Sequence, residues 1–213
     1  MDTRLFITEL ATALRPVKQL PYIRIGAEWL VITVIALAGI GALYGFRPDL
    51  ATRMANPLFS MELALNAMLI AIAGSTAIAC CYPDRAKAPF LKLTLVAIAI
   101  GYSVLIGISV AKEPVQLNDA LNHAPHSIEC LLCILSFAAI PALWLFWRLR
   151  KLACMRPVLV GAIAVMAAIA TGCLGVRLVE TGIIPAGFAL WHYMPLVLLT
   201  TVGLLLGNKI FRW

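Results

Sequence analysis

Apolar residues run along this chain in six long stretches, at 25–46, 58–82, 90–111, 127–147, 157–176 and 187–206, separated by short polar connections. Each is near the ~20 residues that an α-helix needs to cross ~30 Å of hydrocarbon. A soluble core helix of that length would show a polar face, and these do not. The pattern predicts an all-α integral membrane protein, a six-transmembrane-helix bundle, because backbone polar groups inside lipid must be satisfied within helices. With 62% hydrophobic and 13% charged residues and a mean hydropathy of +0.96, the composition lies far from that of a soluble domain.

The lysines and arginines orient the bundle. Arg4, Arg15, Lys18 and Arg24 precede the first span; Arg85, Lys87 and Lys92 surround the second connection; Arg148, Arg150, Lys151 and Arg156 fill the fourth; Lys209 and Arg212 follow the last span. The alternate connections hold Arg47, Arg53, Lys112 and Arg177 alone. The positive-inside rule therefore puts both termini in the cytoplasm. Three regions follow: a cytoplasmic amphipathic segment at 1–24, the transmembrane domain at 25–207 and a short cytoplasmic tail at 208–213. The first two dozen residues are of mixed polarity and the first apolar run is a full span, so no cleavable signal peptide is expected. The formal charge of +7 reads as topology and contact with membrane lipid, not as a nucleic-acid footprint.

Small residues recur at helix-contact spacing, Gly41 and Gly45 in the first span and Ala164, Ala168 and Gly172 in the fifth, which suits close packing within one bundle or between copies. The oligomeric state stays open. Pro141 and Pro195 are expected to kink the fourth and sixth spans, whereas Pro157 suits a first helical turn. Glu28, Glu62, Lys92 and Glu129 all fall within a turn or two of a span end, where snorkelling or water relieves their charge. Without an ionisable residue near any midplane, an ion-coupled carrier has little to work with. A small transporter or permease component remains the competing class, and it would need a wet cavity lined by residues such as Asn66, Ser75 and Thr76.

The chain has no HExxH, GxSxG or phosphate-cradling glycine loop, and no enzyme or cofactor site is expected. Trp191, His192 and Tyr193 read as part of an interfacial aromatic belt. Cys80, Cys81 and Cys154 fall on the cytoplasmic side, where thiols stay reduced, and are expected to be passive. On the other side, His126, Glu129, Cys130 and Cys133 share one helical face if the fourth span starts near Pro125, and Cys173 ends the fifth span nearby. A thiol beside imidazole and carboxylate in an oxidising compartment is a candidate for soft-metal capture or oxidation, although the spacing matches no zinc motif and no metal site is assigned. A thiol oxidoreductase is a third class, resting on Cys130 and Cys133 alone.

The N-terminal segment is the other candidate. Phe6, Ile7, Leu10, Ala13 and Leu14 share one helical face opposite Arg4, Thr8 and Arg15; Asp2 or Thr3 can cap the start and Arg15-Pro16 ends it. About 13 residues do not make a stable helix in water, so this one needs a membrane surface or a protein partner, and composition does not choose between them.

Several segments, in order, carry a resemblance: LATALRPVKQLP before the first span, GFRPDL and NPLF between the first two, ECLLCI entering the fourth, RPVLVGAIAV opening the fifth, PAGFALWHY leading into the sixth, and the terminal GNKIFRW. The chain resembles the NrsF-like family of six-span bacterial inner-membrane anti-sigma factors along almost its whole length. The resemblance implies a regulator that holds an extracytoplasmic-function sigma factor through its cytoplasmic N-terminal segment and releases it on a periplasmic stress. It assigns the amphipathic helix a sigma-factor partner, with Phe6, Ile7, Leu10 and Leu14 as contacts and Pro16 and Val17 matching the proline-valine that follows the helix. It also implies two periplasmic cysteines. Cys130 matches the first, but counting back from Ala189-Leu190-Trp191 puts about Glu180 at the second, leaving Cys133 or Cys173 as substitutes. On this reading Cys130, Cys133, His126 and Cys173 are the candidates for sensing the signal.

Overall fold

The computed structural model describes residues 21–82, 89–112, 127–152, 154–181, 187 and 189–211, and these are helical apart from short turns, with no strand among them. Six helices are long and apolar enough to cross a membrane. In chain order they are α1 (Tyr22–Tyr44), α3 (Pro57–Ala79), α4 (Pro89–Lys112), α5 (Ser127–Arg150), α6 (Pro157–Val179) and α7 (Met194–Ile210); α2 (Leu50–Met54) is a short helix in the first connection, and a π-helical turn, Ala189–Tyr193, leads into α7. Asn56 caps α3 by accepting the Leu58 N–H, and Pro57 and Pro157 open their helices where a missing N–H costs nothing.

Contacts across the bundle place the helix ends. Tyr22 packs edge-on to Tyr82, Arg148 reaches Glu28 and Phe146 stacks on Phe211, so the start of α1 and the ends of α3, α5 and α7 lie together. This is the basic end. At the opposite end Tyr44 meets Phe137, the Arg47 N–H donates to the Leu178 carbonyl, and Arg177 pairs with Glu62. Helix α6 is the central post: 78% of its apolar window is buried, against 17–39% for the other five. It packs on α1, α3, α5 and α7, while α4 lies outside on α3. The outward faces stay apolar, with Ile23, Val34, Leu93, Ile100, Leu143 and Leu205 exposed, as lipid contact requires.

One close helix contact lies at glycines that the small-residue spacing did not single out. A Cβ on Gly161 of α6 would lie 2.5 Å from the Gly203 carbonyl oxygen of α7, and one on Gly207 would lie 2.4 Å from the Pro157 carbonyl oxygen, so backbone meets backbone along this seam. Of the expected positions, Ala164 and Ala168 are buried, and Gly172 lies against the Ile134 backbone of α5. Gly41 instead makes room for the ring of its own connection's Phe46.

Three further expectations change. Glu62 does not snorkel: its side chain is 6% exposed and bonded to Arg177, because α6 brings that arginine to the same depth. The irregularity near Pro195 lies before the proline, as the π-turn at Ala189–Tyr193, since Pro195 has no N–H to give to the α-helical ladder. Cys81 and Cys154 are not passive neighbours but are joined by a disulfide, because the end of α3 and the start of α6 converge at the basic end. Cys80 beside them is a buried free thiol, and burial pushes its pKa up.

Candidate functional site

The six residues predicted to bind a sigma factor, Phe6, Ile7, Leu10, Leu14, Pro16 and Val17, lie outside the described residues, as does His126. The remaining sensing candidates sit at the end opposite the basic one. Cys130, in the first turn of α5, turns inward and is buried, whereas Cys133, one turn on, is exposed on the outer surface of the bundle. Cys173 is buried within α6, and its thiol donates to the His192 carbonyl at 3.3 Å.

The partner of Cys130 is Glu180. Helix α6 ends at Val179, and Glu180 follows in an extended conformation with its N–H on the Val176 carbonyl, so its carboxylate swings toward α5. Its Oε1 lies 4.0 Å from the Cys130 Sγ. Its Oε2 lies 3.8 Å from Nε2 of His192, which the π-turn carries into the bundle and buries to 1% exposure. The three donor atoms, sulfur, imidazole nitrogen and carboxylate oxygen, lie within 4.8 Å of one another. Thiolate, imidazole and carboxylate are the ligand types of a borderline-soft divalent ion, and a contraction of about 1 Å would bring them to its coordination distances of about 2.0–2.3 Å.

This cluster sits on a rigid frame. One turn before Glu180, Arg177 donates from Nε and Nη2 to both oxygens of Glu62 at 2.8 and 2.9 Å, and its guanidinium lies 4.9 Å from the centre of the Phe59 ring. Arg47 lies against the same ring at 5.6 Å and pairs in a fork with Asp49 at 2.7 and 2.9 Å. That pair holds the Asp49 carboxyl down to about 2. The π-turn is tied to α4, with the Tyr193 hydroxyl bonded to Ser103 and its ring edge-on to Tyr102.

A family model described as negative regulator of sigma F, NrsF, matches residues 10–213. The chain belongs to the NrsF family. Membership makes it a negative regulator of a sigma factor, and the six apolar helices make it a multi-pass membrane protein. No curated protein and no solved structure matches the chain. Glu180, the residue that the resemblance counts to the second cysteine position, is thus the one that stands against Cys130.

Two parts of the cluster escaped sequence reasoning. His192 was read as one of three belt aromatics, since nothing in Trp191-His192-Tyr193 distinguishes a residue turned inward by a π-turn. Glu180 was reached only by counting along the resemblance, although an acidic residue closing an otherwise apolar span was a usable clue.

Proposed function

We propose that this NrsF-family chain is a membrane-bound anti-sigma factor of the bacterial inner membrane that acts by sequestration. Its cytoplasmic segment 1–24 holds an extracytoplasmic-function sigma factor, with Phe6, Ile7, Leu10 and Leu14 as the apolar contacts and Pro16 and Val17 closing the helix. The family match carries the reading. The thirteen basic residues gathered on one set of connections support the orientation, with both termini cytoplasmic. Release follows a periplasmic oxidant or metal that acts at Cys130. The cluster joins α5, the end of α6 and the π-turn before α7, so an event there bears on the packing of three elements. Only an event that stabilises one packing over another shifts the equilibrium, and a few kcal/mol of differential free energy suffices.

The residues named for a permease do not gather. Thr76 donates to its own helix at Ile72, Asn66 is buried, and Ser75 lines an apolar cleft with Tyr22, Ile23, Gly26, Ala27 and Leu30 that includes neither.

The test substitutes Phe6→Glu and Leu10→Glu in the full chain. Co-purification of the sigma factor is expected to fail while membrane insertion stays intact, and undiminished binding rejects the proposal. For the sensing step, Cys130→Ser is expected to blunt the response to a thiol-reactive metal or oxidant, and an unchanged dose response retires that part.

A further inference from the structure

Thirteen of the 17 basic residues obey the positive-inside pattern; the four that do not, Arg47, Arg53, Lys112 and Arg177, converge in one place. A cleft of about 390 Å³ opens at the end opposite the basic one, lined by Arg53, Asn56, Phe59, Ser109, Lys112 and Arg177 among others. Its floor is the Arg177–Glu62 pair, and the Phe59 ring in its wall has Arg47 and Arg177 against it. Among the described residues, Arg47 and Arg53 share Asp49, and Arg177 pairs with Glu62.

Lys112 has no ion-pair partner among the described residues, Arg53 uses only Nε on Asp49, at 3.2 Å, and the Asn56 side chain spends its oxygen on the Leu58 N–H and keeps its amide hydrogens. Arg47 Nη1 is buried without a hydrogen-bond partner. Donors therefore arrive from α2, from the cap of α3 and from the last turn of α4, at the level where span ends meet lipid headgroups. A guanidinium, an ammonium and an amide converging on one cleft suit an oxyanion with several acceptor oxygens.

We propose that this cleft binds a phosphate-type anion, either the phosphodiester of an anionic lipid headgroup or a soluble phosphate. The site is separate from the Cys130 cluster and stands whether or not the chain holds a sigma factor.

The full chain in nanodiscs of phosphatidylcholine, with or without phosphatidylglycerol, is unfolded thermally across a titration of inorganic phosphate, beside Arg53→Gln/Lys112→Gln and Lys112→Arg. A rise in Tm with phosphatidylglycerol but not with inorganic phosphate assigns the headgroup; a rise with inorganic phosphate in phosphatidylcholine assigns the soluble ion. In either case the double variant, both of whose positions are exposed, needs about tenfold more of the anion for the same rise, and Lys112→Arg keeps the wild-type response. No rise with either anion, or an equal rise in the double variant, overturns the proposal.

Discussion

Cutting the Arg177–Glu62 pair tests whether the end opposite the basic one is a packed, desolvated frame. Both side chains are nearly inaccessible, 7% and 6% exposed, and they meet through two parallel bonds of 2.8 and 2.9 Å. Removing one partner strands the other as a buried charge, which costs about 3–5 kcal/mol, whereas replacing both by apolar residues of similar volume is near neutral. Glu62→Leu and Arg177→Met alone should therefore each lose about 3–5 kcal/mol. Together they should lose far less than the sum, the residue being mainly the Arg177–Phe59 contact, worth about 0.5–2 kcal/mol. Equilibrium unfolding in mixed micelles, followed by circular dichroism across the double-mutant cycle, reads the coupling directly. Single losses below about 1 kcal/mol, or a double loss equal to the sum, would show that water reaches the pair and that the frame is not closed.

Three further outcomes are expected. Gly161→Ala should cost about 1–3 kcal/mol, because its Cβ would press 2.5 Å from the Gly203 oxygen, while Gly101→Ala, with nothing within 4 Å, should cost nothing; equal effects in unfolding assays would dissolve the α6–α7 seam. Asp49 has its pKa lowered from 3.8 to about 2 by Arg47, so the pair's contribution is present above pH about 4 and is lost as pH falls toward 2; Asp49→Asn should flatten that part of the stability profile, and an unaltered profile refutes the role of the pair. If the basic end faces a reducing cytoplasm, thiol trapping in intact cells should find Cys81 and Cys154 reduced, and air oxidation after purification should close the 73-residue loop and stabilise the chain by up to about 4 kcal/mol. Cys80, its thiolate disfavoured by burial, should not scramble that bond; a disulfide already formed in cells would place the basic end in an oxidising compartment.

The helices were readable to within a few residues because apolar length against bilayer thickness is a one-dimensional constraint, and most ends fall where a proline, a glycine or a polar residue breaks the run. Glu180 was legible only through the register of its neighbours. The burial of Glu62 was not, because it depends on Arg177, 115 residues away, arriving at the same depth. Nor was the Cys81–Cys154 link, which exists because two connections on one face of the bundle converge, a fact of packing order rather than of local sequence. His192 was misread for a related reason: helical periodicity assumes 3.6 residues per turn, and the wider turn at Ala189–Tyr193 rotates everything it carries.

Sequestration through the N-terminal segment is tested most directly by affinity capture from membranes of the full chain beside a chain lacking residues 1–20. A sigma factor recovered with the first and absent from the second, at equal membrane levels of both, is the expected result. Equal recovery with the truncated chain would place the binding surface elsewhere and contradict the proposed mode of regulation.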